Sequence, residues 1–189
     1  FSIDTNYYPL GSCTMKYNPK LHDEMASIPG MSQIHPLQPT STVQGALSLM
    51  FQLQEYLTEI TGMSATSLAP MAGASGELAG MLMARAFHLA NGDSHRKNVL
   101  IPDSAHGTNP ASVIMAGFKV KQVKSNNEGK VDVNHLKEII DDNVAGMMLT
   151  QPNTLGIFEN EIDYISKLIH SVDGLMYMDG ANFNAIVGI

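Results

Sequence analysis

The sequence predicts an α/β fold: a mostly parallel β-sheet covered by helices. Short apolar segments alternate with segments of helical periodicity, and helix start and stop signals separate them. Apolar residues make up 44% of the 189 residues and charged residues 15%, as in a globular protein with a core. Strands and helices in alternation require crossover connections, which make the strands parallel. Ligands of such sheets bind beyond the carboxyl ends of the strands.

The beginning of the chain differs from the rest. Residues 1–40 are rich in Pro, Gly, Ser, Asn and Tyr and are expected to form an irregular N-terminal arm. Residues 41–189 are expected to form the large domain. A capping box at Ser41 and Gln44 begins its first helix, and Gly62 ends it. Because the chain opens without Met and stops directly after a strong motif, we expect a piece of a longer protein, truncated at its C-terminus.

The remaining elements alternate. Asn109-Pro110 is expected to open a helix, with Asn as the cap and Pro at the first helical position. Asp132 is expected to cap another helix. Further helices are predicted at residues 76–90 and 162–172, and strands at residues 99–101, 120–123, 146–150 and 175–178.

Composition narrows the classes of function. A net charge of -7 with scattered Lys and Arg argues against nucleic acid as the main partner. No apolar run is long enough for a membrane span, so no membrane partner is expected. The single cysteine, Cys13, fits a reducing compartment, and we expect a cytoplasmic protein.

The segment Ala72–Glu77 consists of small residues that lead directly into a helix. Free amides and the partial positive charge of a helix N-terminus bind anions, and small residues let a phosphate approach the backbone. Taken alone, the segment is more simply explained as an ordinary tight turn before a helix.

Polar loops follow three of the predicted strands. In the first, His106 lies between small residues and can present its ring to a ligand, whereas Asp103 and Asn109 can simply cap turns and the next helix. In the second, Gln151–Gly156, turn formation is a sufficient explanation. In the third, Asp179 follows an apolar strand, where a carboxylate is costly unless it is paired.

Asp179 can be paired in two ways. It can keep a heterocycle nitrogen protonated, or it can be bound by backbone amides. A metal is less attractive, because no second carboxylate or His lies nearby at ligand spacing. A phosphate cradle, a His and a buried Asp on successive strand ends together suit a phosphorylated pyridine.

These motifs resemble the P-protein family of the glycine cleavage system, specifically its C-terminal half, which many bacteria make as a second subunit. The resemblance covers essentially the whole chain and implies the fold-type I architecture of PLP-dependent transferases. It also implies glycine decarboxylation with pyridoxal 5'-phosphate and transfer of the aminomethyl group to the lipoyl arm of the H-protein. The segments that carry it are 6–19, 35–39, 73–77, 103–112, 152–156 and 179–184.

The resemblance also implies roles for single residues. Ala74, Ser75 and Gly76 would hold the cofactor phosphate, and relatives often have Gln or His in place of Ser75. His106 would stack on the pyridine ring.

At the following strand ends, the resemblance implies that Asp179 would pair with the ring nitrogen and Ala181 would pack on the other ring face. Thr154 would lie near the phenolic oxygen. The family's Schiff-base lysine lies downstream of Asp179, but the last lysine of this chain is Lys167. Lys16 belongs to another motif and is not assigned that role.

The implied partners are the first P-protein subunit, in a heterotetramer, and the lipoylated H-protein, with glycine as substrate. The chain alone is expected to be inactive. Two alternatives stay open: another fold-type I enzyme, such as an amino-acid decarboxylase or desulfurase, and a noncatalytic partner subunit that keeps the fold.

Overall fold

The structure, a computed structural model, describes residues 19–183. These residues form two compact units, 19–69 and 70–183. The first unit contains two short helices where irregular structure was expected. Its elements are α1 (Lys20–Ser27), α2 (Pro29–Ser32), a 3-10 helix (Thr40–Thr42) and α3 (Gln44–Thr61). Pro29 takes the first position of α2, where its missing N–H costs nothing.

The start of α3 corrects the predicted capping box. Ser41 lies inside the 3-10 helix, and Val43 precedes α3 without a side-chain cap. Gln44 instead donates its amide hydrogen to the Thr40 carbonyl oxygen at 2.8 Å. The predicted end of the helix is confirmed, since Gly62 adopts the left-handed conformation, with φ at 67°.

The second unit has the predicted alternation of strands and helices. Each predicted strand lies within an observed one that is longer by one or two residues. The elements are α4 (Gly73–Ala90), β1 (Asn98–Pro102), α5 (Thr108–Met115), β2 (Lys119–Val123), α6 (Val133–Ile139), β3 (Val144–Thr150), α7 (Ile162–His170) and β4 (Leu175–Asp179). Asp132 caps α6 as predicted, because its side chain accepts from the amides of Asn134 and His135.

The four strands form one parallel sheet in the order β2-β1-β3-β4. Residues alternate between its two faces, so Leu100 packs into one apolar cluster while Val99 and Ile101 pack into another. The first cluster includes Leu136 of α6 and residues of α7, and the second includes residues of α4 and α5. The sheet is therefore covered by helices on both faces, as the sequence predicts.

The parallel register places the carboxyl ends of the strands at one edge. Thr150, the last residue of β3, is paired with Asp179, the last residue of β4. Pro102 of β1 is paired with Val123 of β2. The loops that carry the candidate residues leave the sheet from this edge.

Candidate active site

Asp179 is the centre of a hydrogen-bond network at the strand ends. Its Oδ1 atom accepts from the Ala181 amide at 3.1 Å. Its Oδ2 atom lies 3.2 Å from Nδ2 of Asn109 and 3.3 Å from Oγ1 of Thr150. A carboxylate has about four acceptor sites, so these contacts leave capacity for one further donor. The Ala181 amide is thus only one of the donors to Asp179, and side chains from α5 and β3 supply the other two contacts.

Asn109 does not have the predicted capping role. Helix α5 begins one residue earlier, with Gly107 in the cap position and no side-chain cap. Asn109 is fully buried inside the first turn, where it donates to Asp179 and lies 3.4 Å from the Thr150 hydroxyl. The cap rule fails because this contact across 70 residues outweighs the local preference of Asn. Sequence reasoning therefore missed Asn109 and Thr150 as site residues.

His106 lies in the loop between β1 and α5 and is exposed. Its Nδ1 atom is 2.8 Å from Oγ1 of Thr108 and 3.2 Å from the Thr108 amide. The ring is thereby attached to the first turn of α5, next to Asn109. Stacking of His106 on a pyridine ring remains a prediction.

Glu77, to which sequence analysis assigned no separate role, is a buried carboxylate of α4, 6% exposed. It accepts from Oγ1 of Thr108 at 2.9 Å and from Oγ of Ser112 at 3.3 Å, which connects α4 with α5. Burial, and then the charges of Glu77 and Asp179, raise the pKa of Tyr177 to about 12. Tyr177 therefore stays neutral beside these two carboxylates at physiological pH.

The N-terminus of α4 is the predicted phosphate cradle, but the helix begins at Gly73 rather than at residue 76. The amides of Ser75 and Gly76 both donate to the Ala72 carbonyl oxygen at 3.1 Å. The amides of Gly73 and Ala74 are the ones that a helix start leaves without an intrahelical acceptor. Ala74 and Ser75 are exposed. For anion binding by main-chain amides, the structure thus favours residues 73 and 74 over residue 76.

Thr154 connects two strand-end loops. Its hydroxyl donates to the carbonyl oxygen of Ser104, in the loop after β1. Only its lone pairs remain for another partner, so a contact with the cofactor's phenolic oxygen stays a prediction. Asn182 connects the loops after β3 and β4, since its amide donates to the carbonyls of Pro152 and Asn153 at 3.1 and 3.2 Å.

Several sequence-based expectations fall on residues outside the described range. Lys16 and Cys13 lie before residue 19, and the end of the last motif lies beyond residue 183. Lys167 lies in α7. Between residues 19 and 183, no group of His, Cys, Asp and Glu has a metal-binding arrangement, and no helix is long and apolar enough to cross a membrane.

The chemistry of these groups fits pyridoxal phosphate. Asp179 has acceptor capacity for a protonated ring nitrogen, and His106 supplies an exposed aromatic ring from the adjacent loop. The start of α4 supplies main-chain donors and a positive helix end for a phosphate. The hydrogen bonds of Glu77 and Asn109 join α4, α5 and the ends of β3 and β4.

Comparison with known proteins agrees with the sequence resemblance. The chain is 56% identical over 189 residues to a probable glycine dehydrogenase (decarboxylating) subunit 2 of Caldanaerobacter subterraneus subsp. tengcongensis. It is 54% identical over 188 residues to a protein of the same name from Pyrococcus horikoshii. It covers 39% and 38% of these relatives, so it spans about two fifths of their length.

Solved structures support the fold. A crystal structure titled as glycine decarboxylase (P-protein) of the glycine cleavage system, in inhibitor-bound form, has a TM-score of 0.72 at 20% identity. The match covers 87% of this chain and 36% of that one. A NifS-like protein has a TM-score of 0.70 at 14% identity, and the match covers 93% of this chain and 49% of that one.

These structural likenesses confirm the predicted fold class, an α/β domain of the fold-type I PLP-dependent transferase type. The model of the Aminotransferase class-V family matches residues 76–185, which include α4 from Gly76 onward, the parallel sheet and Asp179. The chain belongs to the class-V aminotransferase family.

Proposed function

We propose that this chain is the cofactor-binding part of a glycine decarboxylase that uses pyridoxal 5'-phosphate and passes the aminomethyl group to the lipoyl arm of an H-protein. The observation that carries this proposal is the identity of 54–56% over the whole chain to proteins named glycine dehydrogenase (decarboxylating) subunit 2. The arrangement around Asp179 supports the cofactor independently, because its remaining acceptor capacity suits a protonated ring nitrogen.

Pyridoxal phosphate, when bound, supplies an electron sink for the electron pair that remains after loss of CO2. Asp179 would hold the proton on the ring nitrogen, because its negative charge stabilises the protonated form. Asn109, Thr150 and the Ala181 amide fix the orientation of the carboxylate. His106 would contact the ring face, with Ala181 on the other side.

The phosphate would be held at the start of α4. Gly73 and Ala74 supply amides without intrahelical acceptors, and Ser75 supplies an exposed hydroxyl. Gly76 and Thr154 complete the proposed set. Small side chains at residues 72–76 leave the backbone accessible to the phosphate oxygens.

The proposed partners are the first P-protein subunit, in a heterotetramer, and the lipoylated H-protein. The name subunit 2 of the relatives supports a partner subunit. Helix α3 has no buried residue, and it exposes apolar side chains such as Leu49, Phe51 and Tyr56 at 54%, 61% and 62%. Apolar surface of this kind is typical of segments that pack against another domain or subunit. A cytoplasmic location is part of the same proposal.

The test is the Asp179→Asn substitution in the complete protein, assayed for glycine–bicarbonate exchange with partner subunit and H-protein. Loss of the charge should lower the exchange rate about a hundredfold or more, because the transition state loses its electrostatic support. The control is Asp163→Asn, since Asp163 is an exposed carboxylate in α7. Exchange at the wild-type rate by a folded Asp179→Asn variant would refute the role of Asp179. Omission of the partner subunit should abolish the activity of the wild type.

The alternatives have weaker support. Another fold-type I enzyme, a desulfurase included, is favoured only by fold likenesses to solved structures below 25% identity, which carry no information on substrate. For a noncatalytic partner subunit there is no separate support, because the glycine decarboxylase proposal already accounts for the site contacts of the described residues.

A further inference from the structure

A line of three side chains runs from the exposed loop after β1 into the protein interior. Nδ1 of His106 lies 2.8 Å from Oγ1 of Thr108, which lies 2.9 Å from Oε1 of Glu77. The other oxygen of Glu77 is 3.3 Å from the Ser112 hydroxyl. We propose that Glu77 is a positioning residue that acts through Thr108 to keep the proton of His106 on Nδ1, leaving Nε2 as the acceptor.

Counting hydrogens leads to this assignment. The Thr108 hydroxyl has one hydrogen but makes two short contacts, so the second contact needs a hydrogen from its other partner. An ionised Glu77 can only accept. The hydroxyl therefore donates to Glu77, and Nδ1–H of His106 donates to the hydroxyl oxygen.

One contact favours the opposite tautomer of His106. The Thr108 amide lies 3.2 Å from Nδ1 and could donate to it if Nδ1 carried no hydrogen. The charged acceptor decides between them, because hydrogen bonds to a carboxylate are about twice as strong as neutral ones. In addition, Glu77 is 6% exposed and its hydrogen bonds replace water, whereas the loop at His106 is exposed and water can satisfy the amide.

The other titratable groups of this region have different partners. Asp179 is bound by Asn109, and Asp103 by Ser125. Among the described residues, Glu77 is therefore the carboxylate that hydrogen bonds connect to His106 through one hydroxyl. A neutral His106 then offers an unprotonated Nε2 to a bound ligand. Its use in catalysis rests on the proposed function, whereas the proton position can be tested without turnover.

The experiment determines the tautomer of His106 from the nitrogen-15 NMR chemical shifts of its two ring nitrogens, in the complete protein labelled at histidine and at a pH where imidazole is neutral. In the wild type the hydrogen should lie on Nδ1. Thr108→Val removes the hydroxyl acceptor, so the Thr108 amide can donate to Nδ1 and the hydrogen should move to Nε2. Thr108→Ser retains the hydroxyl and should keep the wild-type tautomer. Glu77→Gln leaves a weaker, neutral acceptor for the hydroxyl and should move part of the population to the Nε2–H form.

The matched control is Glu159→Gln. Glu159 is buried to a similar degree, at 7% exposed, but accepts from the Val131 amide instead of from the His106 relay. A wild type with the hydrogen on Nε2, an unchanged tautomer in Glu77→Gln, or an equal change in Glu159→Gln overturns the proposal. If Glu77→Gln does not fold, Thr108→Val and Thr108→Ser decide: the same tautomer in these two variants refutes the relay. The exchange assay of Asp179→Asn can fail independently of either result.

Discussion

The Asn109→Asp substitution would replace a buried amide with a carboxylate of nearly the same shape. In the wild type, Nδ2 of Asn109 donates to Oδ2 of Asp179 at 3.2 Å, and Asn109 is fully buried. Two charges at this distance repel by about 5 kcal/mol at an effective dielectric constant of 20. We therefore expect the variant either to lose this amount of stability or to take up one proton between the two carboxylates.

Proton uptake limits the loss and makes it dependent on pH. Protonating a carboxyl group of ordinary pKa, about 3.9, costs about 4 kcal/mol at pH 7 and about 1.5 kcal/mol at pH 5. The folded pair binds a proton more tightly than the unfolded chain does, so the loss is absent at low pH and grows as the pH rises. The free energy of unfolding, relative to wild type, should thus fall by about 4 kcal/mol near pH 7 and recover towards pH 5.

The assay is urea unfolding of the complete protein, monitored by circular dichroism across this pH range. Asn143→Asp is the matched control, because the side-chain amide of Asn143 donates to Oδ1 of Asp142 at 3.1 Å and both residues are exposed. Water screens that pair, and its loss should stay below about 1 kcal/mol. A loss in Asn109→Asp that is equal at both ends of the pH range, or no larger than in the control, would refute the placement of Asn109 against Asp179.

Two further predictions concern the packing of β4. Gly146→Ala should lower the free energy of unfolding by about 1–3 kcal/mol, because a Cβ atom there would lie 2.3 Å from the Leu175 carbonyl oxygen. In the control Gly45→Ala, nothing lies within 4 Å of the added Cβ atom, so no loss of stability is expected. Equal losses in the two variants, measured by urea unfolding, would contradict the clash at Gly146. Between pH 10 and 12, the free energy of unfolding should fall less in Tyr177→Phe than in the wild type. Burial raises the pKa of the folded phenol from 10.0 to about 12, so the wild type loses stability over this range as the phenol of the unfolded chain ionises. Equal losses in the variant and the wild type, measured by urea unfolding across this pH range, would contradict this prediction.

The order of elements could be predicted because each depends on local sequence. Apolar runs predict β3 and β4, the left-handed Gly62 ends α3, and Asp132 caps α6 with its own side chain. The capping box at Ser41 was wrong because residues 40–42 form a separate 3-10 helix first. Asn109 was also misassigned, since a cap rule considers only neighbouring residues.

The candidate site could be predicted only in outline. His106 and Asp179 were selected as candidates because unusual polar residues follow predicted strands, and their roles stay predictions. Asn109, Thr150 and Glu77 were missed, since their partners are 29 to 70 residues away in sequence. Asn109 and Glu77 lie in two segments that carry the family resemblance, 103–112 and 73–77, and this resemblance was the available signal for them.

The hydrogen bonds of Asn109 and Glu77 give the short helix α5 a role in arranging the candidate site. Its first two residues, Thr108 and Asn109, donate side-chain hydrogen bonds to different carboxylates, Glu77 of α4 and Asp179 of β4. The N-terminus of α5 also carries a partial positive charge, which stabilises both anions. Because these donors are adjacent in one helical turn, a displacement of the start of α5 would alter both carboxylates and the ring of His106 together. The first turn of α5 is thus the element that sets the positions of the candidate catalytic groups relative to one another.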